Sequence, residues 1–238
     1  MHNPKQHGIC HAVCLFLGDA FRKYYICLTL LTIDVIIFVN AGRYRFLACV
    51  YKNERGNIML LSFNECLNKY GNLYQINKMI ESKQLYKLEP GIYSDKERVS
   101  ELEFVSYKYP HAIFTMDSAF YYHGLTDVIP SRFCLATKKN ARIITDKHVK
   151  QFFHRNEIFD IGVSALEQGN TQIRIYDQER MLIELVRNKN TLPFDYYKEI
   201  IESYRKRIDS LDIEKLQEYI SVFPKQNYIF ETIQLEVF

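Results

Sequence analysis

The sequence predicts an α+β protein: an N-terminal unit of helices and a hairpin, a mixed α/β middle, and a helical C-terminal part. Three observations carry that expectation. Within residues 59–95, two short amphipathic segments precede a tight Pro-Gly hairpin. From 96 to 177, brief apolar runs bounded by turn residues alternate with helical patterns. From 178 to 238, apolar residues recur at helical spacing in successive segments. A chain of 238 residues has room for one large or two small domains with a real core.

Residues 1–58 stand apart. They hold seven basic against three acidic residues, leaving 24 basic and 25 acidic in the remainder, so the overall charge of +3 gives no basic surface to the main body. Cys10, Cys14, Cys27 and Cys49 also fall here, and only Cys66 and Cys134 lie beyond. Two isolated cysteines make no disulfide framework, and a reducing cytoplasm is expected. His7, Cys10, His11 and Cys14 have helical spacing, but no second Cys/His pair follows at zinc-finger distance. Tyr24 to Val39 is nearly all apolar, yet it falls short of the roughly 20 residues a membrane span needs, and Asp34 interrupts it. Glu54-Arg55-Gly56 can be encoded as a purine run of the ribosome-binding type just before Met59. Translation is therefore expected to begin at Met59, with residues 1–58 a leader; the alternative is a genuine disordered or apolar extension.

From Met59 onward, Ser62 caps a predicted helix over Phe63–Lys69, with Glu65 completing a capping box. After the turn Tyr70-Gly71-Asn72, a second helix runs from Leu73 to about Ser82, with Leu73, Ile76, Met79 and Ile80 on its inner face. Leu85–Leu88 and Ile92–Ser94 form a hairpin around Glu89-Pro90-Gly91. Helices followed by such a hairpin are the layout of a winged helix-turn-helix. Tyr74, Gln75, Asn77, Lys78 and Lys83 on the outer face, with Tyr86 and Lys87 on the hairpin, are the candidate DNA-binding residues. Gln and Asn bond base edges, while Lys and Tyr contact phosphates. The unit is only weakly basic, with four lysines against three glutamates over 59–94, and such a fold also serves packing or protein contact.

Asp95–Tyr107 is predicted helical, with Val99, Leu102, Phe104 and Val105 inward and Lys108-Tyr109-Pro110 as its stop. Ala112–Phe114 reads as a buried strand, Thr115 as the cap of a helix from Met116 to about His123, and Gly124 as its end. Phe133–Thr137 reads as a strand, Thr145–Phe153 as a helix, and Ile158–Val163 and Thr171–Tyr176 as strands joined through Gly169-Asn170. A helix follows from Gln178, with the stripe Met181, Leu182, Leu185 and Val186. Pro193 starts another carrying Tyr196, Ile200, Ile201, Tyr204 and Ile208. Asp212 caps a third with Ile213, Leu216 and Ile220 inward, and beyond Pro224 a last helix carries Ile229, Ile233 and Val237.

No phosphate loop, HExxH or nucleophile elbow occurs. Asp160, Asp177 and Glu179 are the set from which a metal-dependent nuclease centre would be drawn. Arg180 stands where such a centre wants a lysine, and Asp177 is placed to cap the following helix. His123, near Asp127, is the sharpest candidate base, against a packed or helix-end role. Arg180 and Arg187 are expected to pair with acids such as Glu184, the i, i+4 neighbour of Arg180. No catalytic residue, metal or cofactor is expected.

Three segments together resemble a known family: Leu88-Glu89-Pro90-Gly91-Ile92-Tyr93-Ser94; Ser118-Ala119-Phe120-Tyr121-Tyr122-His123-Gly124-Leu125-Thr126-Asp127-Val128-Ile129-Pro130; and Tyr176-Asp177-Gln178-Glu179-Arg180-Met181-Leu182-Ile183-Glu184-Leu185. Their order and spacing are similar to those of the AbiEi antitoxins of type IV toxin–antitoxin and abortive-infection systems, over about Met59 to the C-terminus. The resemblance implies a winged helix over 59–95 that binds promoter DNA and represses its own operon. It also implies an antitoxin domain over 96–238 that counteracts a nucleotidyltransferase-like toxin without a stable complex and without enzymatic activity. No membrane partner is expected. The alternatives are a protein-interaction regulator with a degenerate winged helix and, further off, a nuclease-like enzyme.

Overall fold

The computed structural model describes residues 58–169 and 171–238. The expectations for residues 1–57 lie outside it: the His/Cys spacing, the apolar Tyr24–Val39 stretch and the leader. The described chain is mixed α+β, with two separate sheets and helices throughout.

The first sheet belongs to the small N-terminal unit. Strand β1 (Leu60–Ser62) leads directly into helix α1 (Phe63–Tyr70). Ser62 Oγ accepts from the Glu65 amide, and the Glu65 carboxylate accepts from the Ser62 amide, so the predicted capping box closes. Gly71 ends α1 at φ +89, and Asn72 caps α2 (Leu73–Glu81) by accepting from the Gln75 amide. Strands β2 (Tyr86–Glu89) and β3 (Ile92–Ser94) form the hairpin, and the antiparallel sheet runs β1-β3-β2. Leu61, Cys66, Ile76, Leu85 and Tyr93 close a small core, with Met79 and Ile80 packed against it. Leu73, predicted inward, is 54% exposed, because the first turn of α2 extends beyond that core.

The predicted helix from Asp95 begins instead at Glu101, as α3 (Glu101–Lys108). Asp95 continues the ladder: its amide donates to the Met59 carbonyl and its carboxylate accepts from the Met59 amide. The chain then turns, and Ser100 supplies the true cap by accepting from the Glu103 amide. Of its predicted inward residues only Val105 is fully buried. Helix α3 ties the small unit to the larger one. Tyr107 donates to Glu65 at 2.7 Å, and Lys108 pairs with both Glu89 (2.7 Å) and Asp146 (2.9 Å). The Tyr107 bond is the largest influence holding the Glu65 carboxyl below its usual range.

The second sheet is mixed, in the order β6-β5-β4-β8-β7. It comprises β4 (Ile113–Phe114), β5 (Phe133–Lys138), β6 (Val149–His154), β7 (Val163–Gln168) and β8 (Thr171–Tyr176). Strand β6 replaces the helix predicted over Thr145–Phe153. Asp146 bonds the His148 amide and breaks any helical start, while Val149–His154 pairs with β5 in unbroken parallel register. The strand predicted at Ile158–Val163 is likewise replaced, by a short helix, α5 (Asn156–Phe159). Its last carbonyls, Ile158 and Phe159, accept from Arg180 and Tyr176, so side chains supply partners that a ladder would have given.

Helix α4 (Met116–Tyr122) follows β4 as predicted, but Thr115 makes no cap bond; buried, it turns its hydroxyl to Met181 Sδ. Helix α6 (Gln178–Arg187) packs against α4 and against the terminal helices α8 (Ile213–Val222) and α9 (Gln226–Glu236). Asp177 and Asp212 cap α6 and α8 as expected. Helix α7 (Phe194–Lys206) follows Pro193 and buries Ile200, Ile201 and Tyr204. Ile208, beyond its end in a 3-10 turn, is only half-buried, and Ile213 at the first position of α8 is 36% exposed. Among the described residues no helix is long and apolar enough to cross a membrane.

Candidate functional site

Two charged regions of the molecule differ in kind. The first is the outer face of α2 with the β2–β3 hairpin. Ile76 is fully buried and fixes which face of α2 points outward. Tyr74 is 73% exposed, and Gln75, Asn77, Lys78 and Lys83 are exposed beside it. Lys87 is exposed on β2 and Tyr86 is half-buried. Lys83 adopts φ +56, a left-handed turn that ends α2 and leads to the hairpin. Among the described residues, Lys78, Lys83 and Lys87 have no carboxylate partner, so their charges are available to an outside anion.

The second region is the wall between α6 and β6. Arg180 is completely buried, with its guanidinium 4.7 Å from the Tyr176 ring centre and 4.2 Å from that of Phe223. It donates to Glu184 at 2.7 Å and to the Ile158 carbonyl at 2.9 Å. It also lies 3.0 Å from His154 Nδ1; a guanidinium only donates, so Nδ1 accepts and the proton of the neutral ring sits on Nε2. Burial depresses the His154 pKa despite the opposing pull of Glu184. Arg187 completes the group by donating to both Glu184 oxygens at 2.8 and 2.9 Å. The Arg180–Glu184 pairing was legible as an i, i+4 match. His154 carries no such signal, because the strand that delivers it forms only through its register with β5.

The carboxylates weighed for a metal have structural employment. Asp177 caps α6 through Oδ1 and pairs with Lys215 (3.0 Å) and Tyr219 (3.1 Å) through Oδ2. Glu179 holds the same Lys215 and the Asp212 amide. Asp160 points elsewhere, to Lys138. Among the described residues no three His, Cys, Asp or Glu side chains gather closely enough to hold a metal. Neither Lys215 nor Tyr219 carried a sequence signal for these contacts.

His123 is half-buried and donates from Nε2 to the Tyr176 carbonyl at 2.6 Å. Burial lowers its pKa, while Asp127, the partner considered for it, is exposed. Arg207 binds the His123 carbonyl, and Thr126 bonds Glu199. The Ser118–Pro130 segment is thus clamped to α7 and β8. Both described cysteines are free and buried, and burial pushes the Cys134 thiol up to about 11, far from a reactive thiolate.

No protein-family model and no curated protein matches the chain.

Proposed function

We propose that residues 59–95 are a winged helix-turn-helix that binds promoter DNA, with α2 as the reading helix and the β2–β3 hairpin as the wing. The observation that carries this is the row of unpaired cations and amides on the outward face of α2 and on β2. Lys78, Lys83 and Lys87 stand with Gln75, Asn77 and Tyr74 on a two-helix unit whose sheet runs β1-β3-β2. Lysines and the tyrosine hydroxyl suit phosphates, and the two amides suit adenine edges.

The remainder of the chain, in this proposal, acts as a non-enzymatic antitoxin against a nucleotidyltransferase-like toxin in the reducing cytoplasm. That half rests on the resemblance of the Ser118–Pro130 and Tyr176–Leu185 segments to the AbiEi pattern. It gains support from their meeting in space, where His123 bonds the Tyr176 carbonyl, and from the structural use of Asp177 and Glu179. A second reading, a protein-interaction regulator with a degenerate winged helix, is favoured by Leu73, exposed beside Tyr74 on the same helix.

Co-expression with the neighbouring toxin gene, and with a promoter fusion, tests both halves. The double variant Lys78→Ala/Lys87→Ala is expected to lose repression while still restoring growth. Growth not restored by the unsubstituted chain would remove the antitoxin half; unchanged repression by the double variant would remove the DNA-binding half.

A further inference from the structure

Where β6, the turn after it and the α8–α9 connection approach one another, two adjoining clefts of about 620 and 320 Å³ open, sharing Arg155, Ile158 and Pro224 in their walls. Each falls in the size range of small-ligand sites. The charge of this groove is unbalanced. Glu184 is already matched by the buried Arg180, yet it also holds Arg187, whose remaining donors make no hydrogen bond among the described residues. Arg155 and Lys139 line the groove with no carboxylate partner among those residues, and Glu157 is the other acid in its walls. The surplus is positive.

The rest of the lining is aromatic and polar. Phe153, on the edge strand, is 49% exposed and lines the smaller cleft. Asn188 uses its amide nitrogen on Glu184 and Met116 Sδ. Met116 itself stands at φ +44, a costly conformation for a residue with a Cβ, and such strain concentrates at ligand-holding positions. Unpaired guanidinium and ammonium groups beside an exposed ring are the elements that recognise a phosphate chain attached to a flat base.

We propose that this groove binds a nucleotide, with its phosphates on Arg155, Arg187 and Lys139 and its base against Phe153. The site is independent of the DNA-binding face on α2. Arg180 and Glu184 are positioning residues: they fix Arg187 from behind and do not touch the ligand.

Isothermal titration of the full chain with ATP, GTP, pyrophosphate, adenosine and a short single-stranded oligodeoxynucleotide tests this at fixed ionic strength. ATP or GTP is expected to bind with a Kd below about 1 mM, ahead of adenosine. Arg155→Ala is expected to weaken nucleotide and pyrophosphate alike by about tenfold, the scale of one charge-assisted contact. Phe153→Leu is expected to weaken the nucleotide and spare pyrophosphate. Both positions are at the surface, and unchanged melting of each variant will show that the fold persists. Absence of nucleotide binding, affinity indifferent to both substitutions, or binding of the oligodeoxynucleotide alone would overturn the proposal.

Discussion

The α2 face and the Arg180 cluster are both rich in charge, and the contrast between them separates recognition from construction. Lys78 on α2, Lys83 in the turn after it and Lys87 on β2 stand in water on a small unit and have no acid to answer them among the described residues. Around Arg180, one carboxylate answers two guanidiniums, a histidine accepts from one of them, and two aromatic rings close the space. Exposed unpaired charge costs the fold little and is free to meet an anion. Burying a charge is costly, and the partners of Arg180 offset that cost although its Nε makes no hydrogen bond, so removing one of them is felt by the whole domain. Changes at Arg180's surroundings should therefore move stability, and changes on α2 should move binding alone.

The largest effect is expected at the buried acid. Glu184→Ala removes the carboxylate from two arginines and leaves Arg180 charged and enclosed. A loss of about 3–5 kcal/mol is expected in denaturant unfolding, on the scale for breaking a buried pair. A loss under about 1 kcal/mol, as for an exposed pair, would break the contrast.

Next in size is Gly162→Ala. Gly162 sits at φ +73, and an added Cβ would lie 2.5 Å from Arg180 Cβ and 3.0 Å from Asp177 Oδ1, where the turn before β7 presses on the start of α6. A destabilisation of about 1–3 kcal/mol is expected by thermal or chemical unfolding.

The pH dependence sharpens the same point. His154 and His123 both have pKa values depressed by burial from the ordinary 6.5. Below that value the unfolded chain binds protons that the folded chain refuses, so folding is penalised. Stability from these two groups is present in full above pH 6.5 and is lost as pH falls through the unfolded value toward the folded ones. Unfolding midpoints measured across this range should fall with acidity. In a variant with both histidines replaced by Gln, the part of that slope nearest pH 6.5 should flatten.

What the sequence revealed was mostly local chemistry. Ser62 with Glu65, Asp177, Asp212, Pro193 and the Pro90-Gly91 turn each act within a few residues, and each was legible. The failures came where distant chain decided the outcome. Asp95 is drawn into the β1 ladder by Met59, 36 positions away, which delays α3 to Ser100. Val149–His154 becomes a strand because β5 offers a register, and Asn156–Phe159 a helix because Arg180 and Tyr176 take its carbonyls. The candidate DNA face was legible because one buried residue, Ile76, orients α2. The groove was not, since it depends on β6 being a strand and on residues more than 80 positions apart, from Lys139 to Pro224.

The central claim, that α2 and the hairpin bind DNA, is tested most directly by anisotropy titration of the full chain on labelled DNA from upstream of its own gene, over a range of salt. The account predicts binding that weakens steeply with salt. Lys78→Ala and Lys87→Ala should each lower affinity alike on all sequences and reduce the salt slope by about 1, with unfolding midpoints unchanged. Gln75→Ala or Asn77→Ala should instead erode the preference for the upstream sequence. No binding even at low salt, or four silent substitutions, would contradict it.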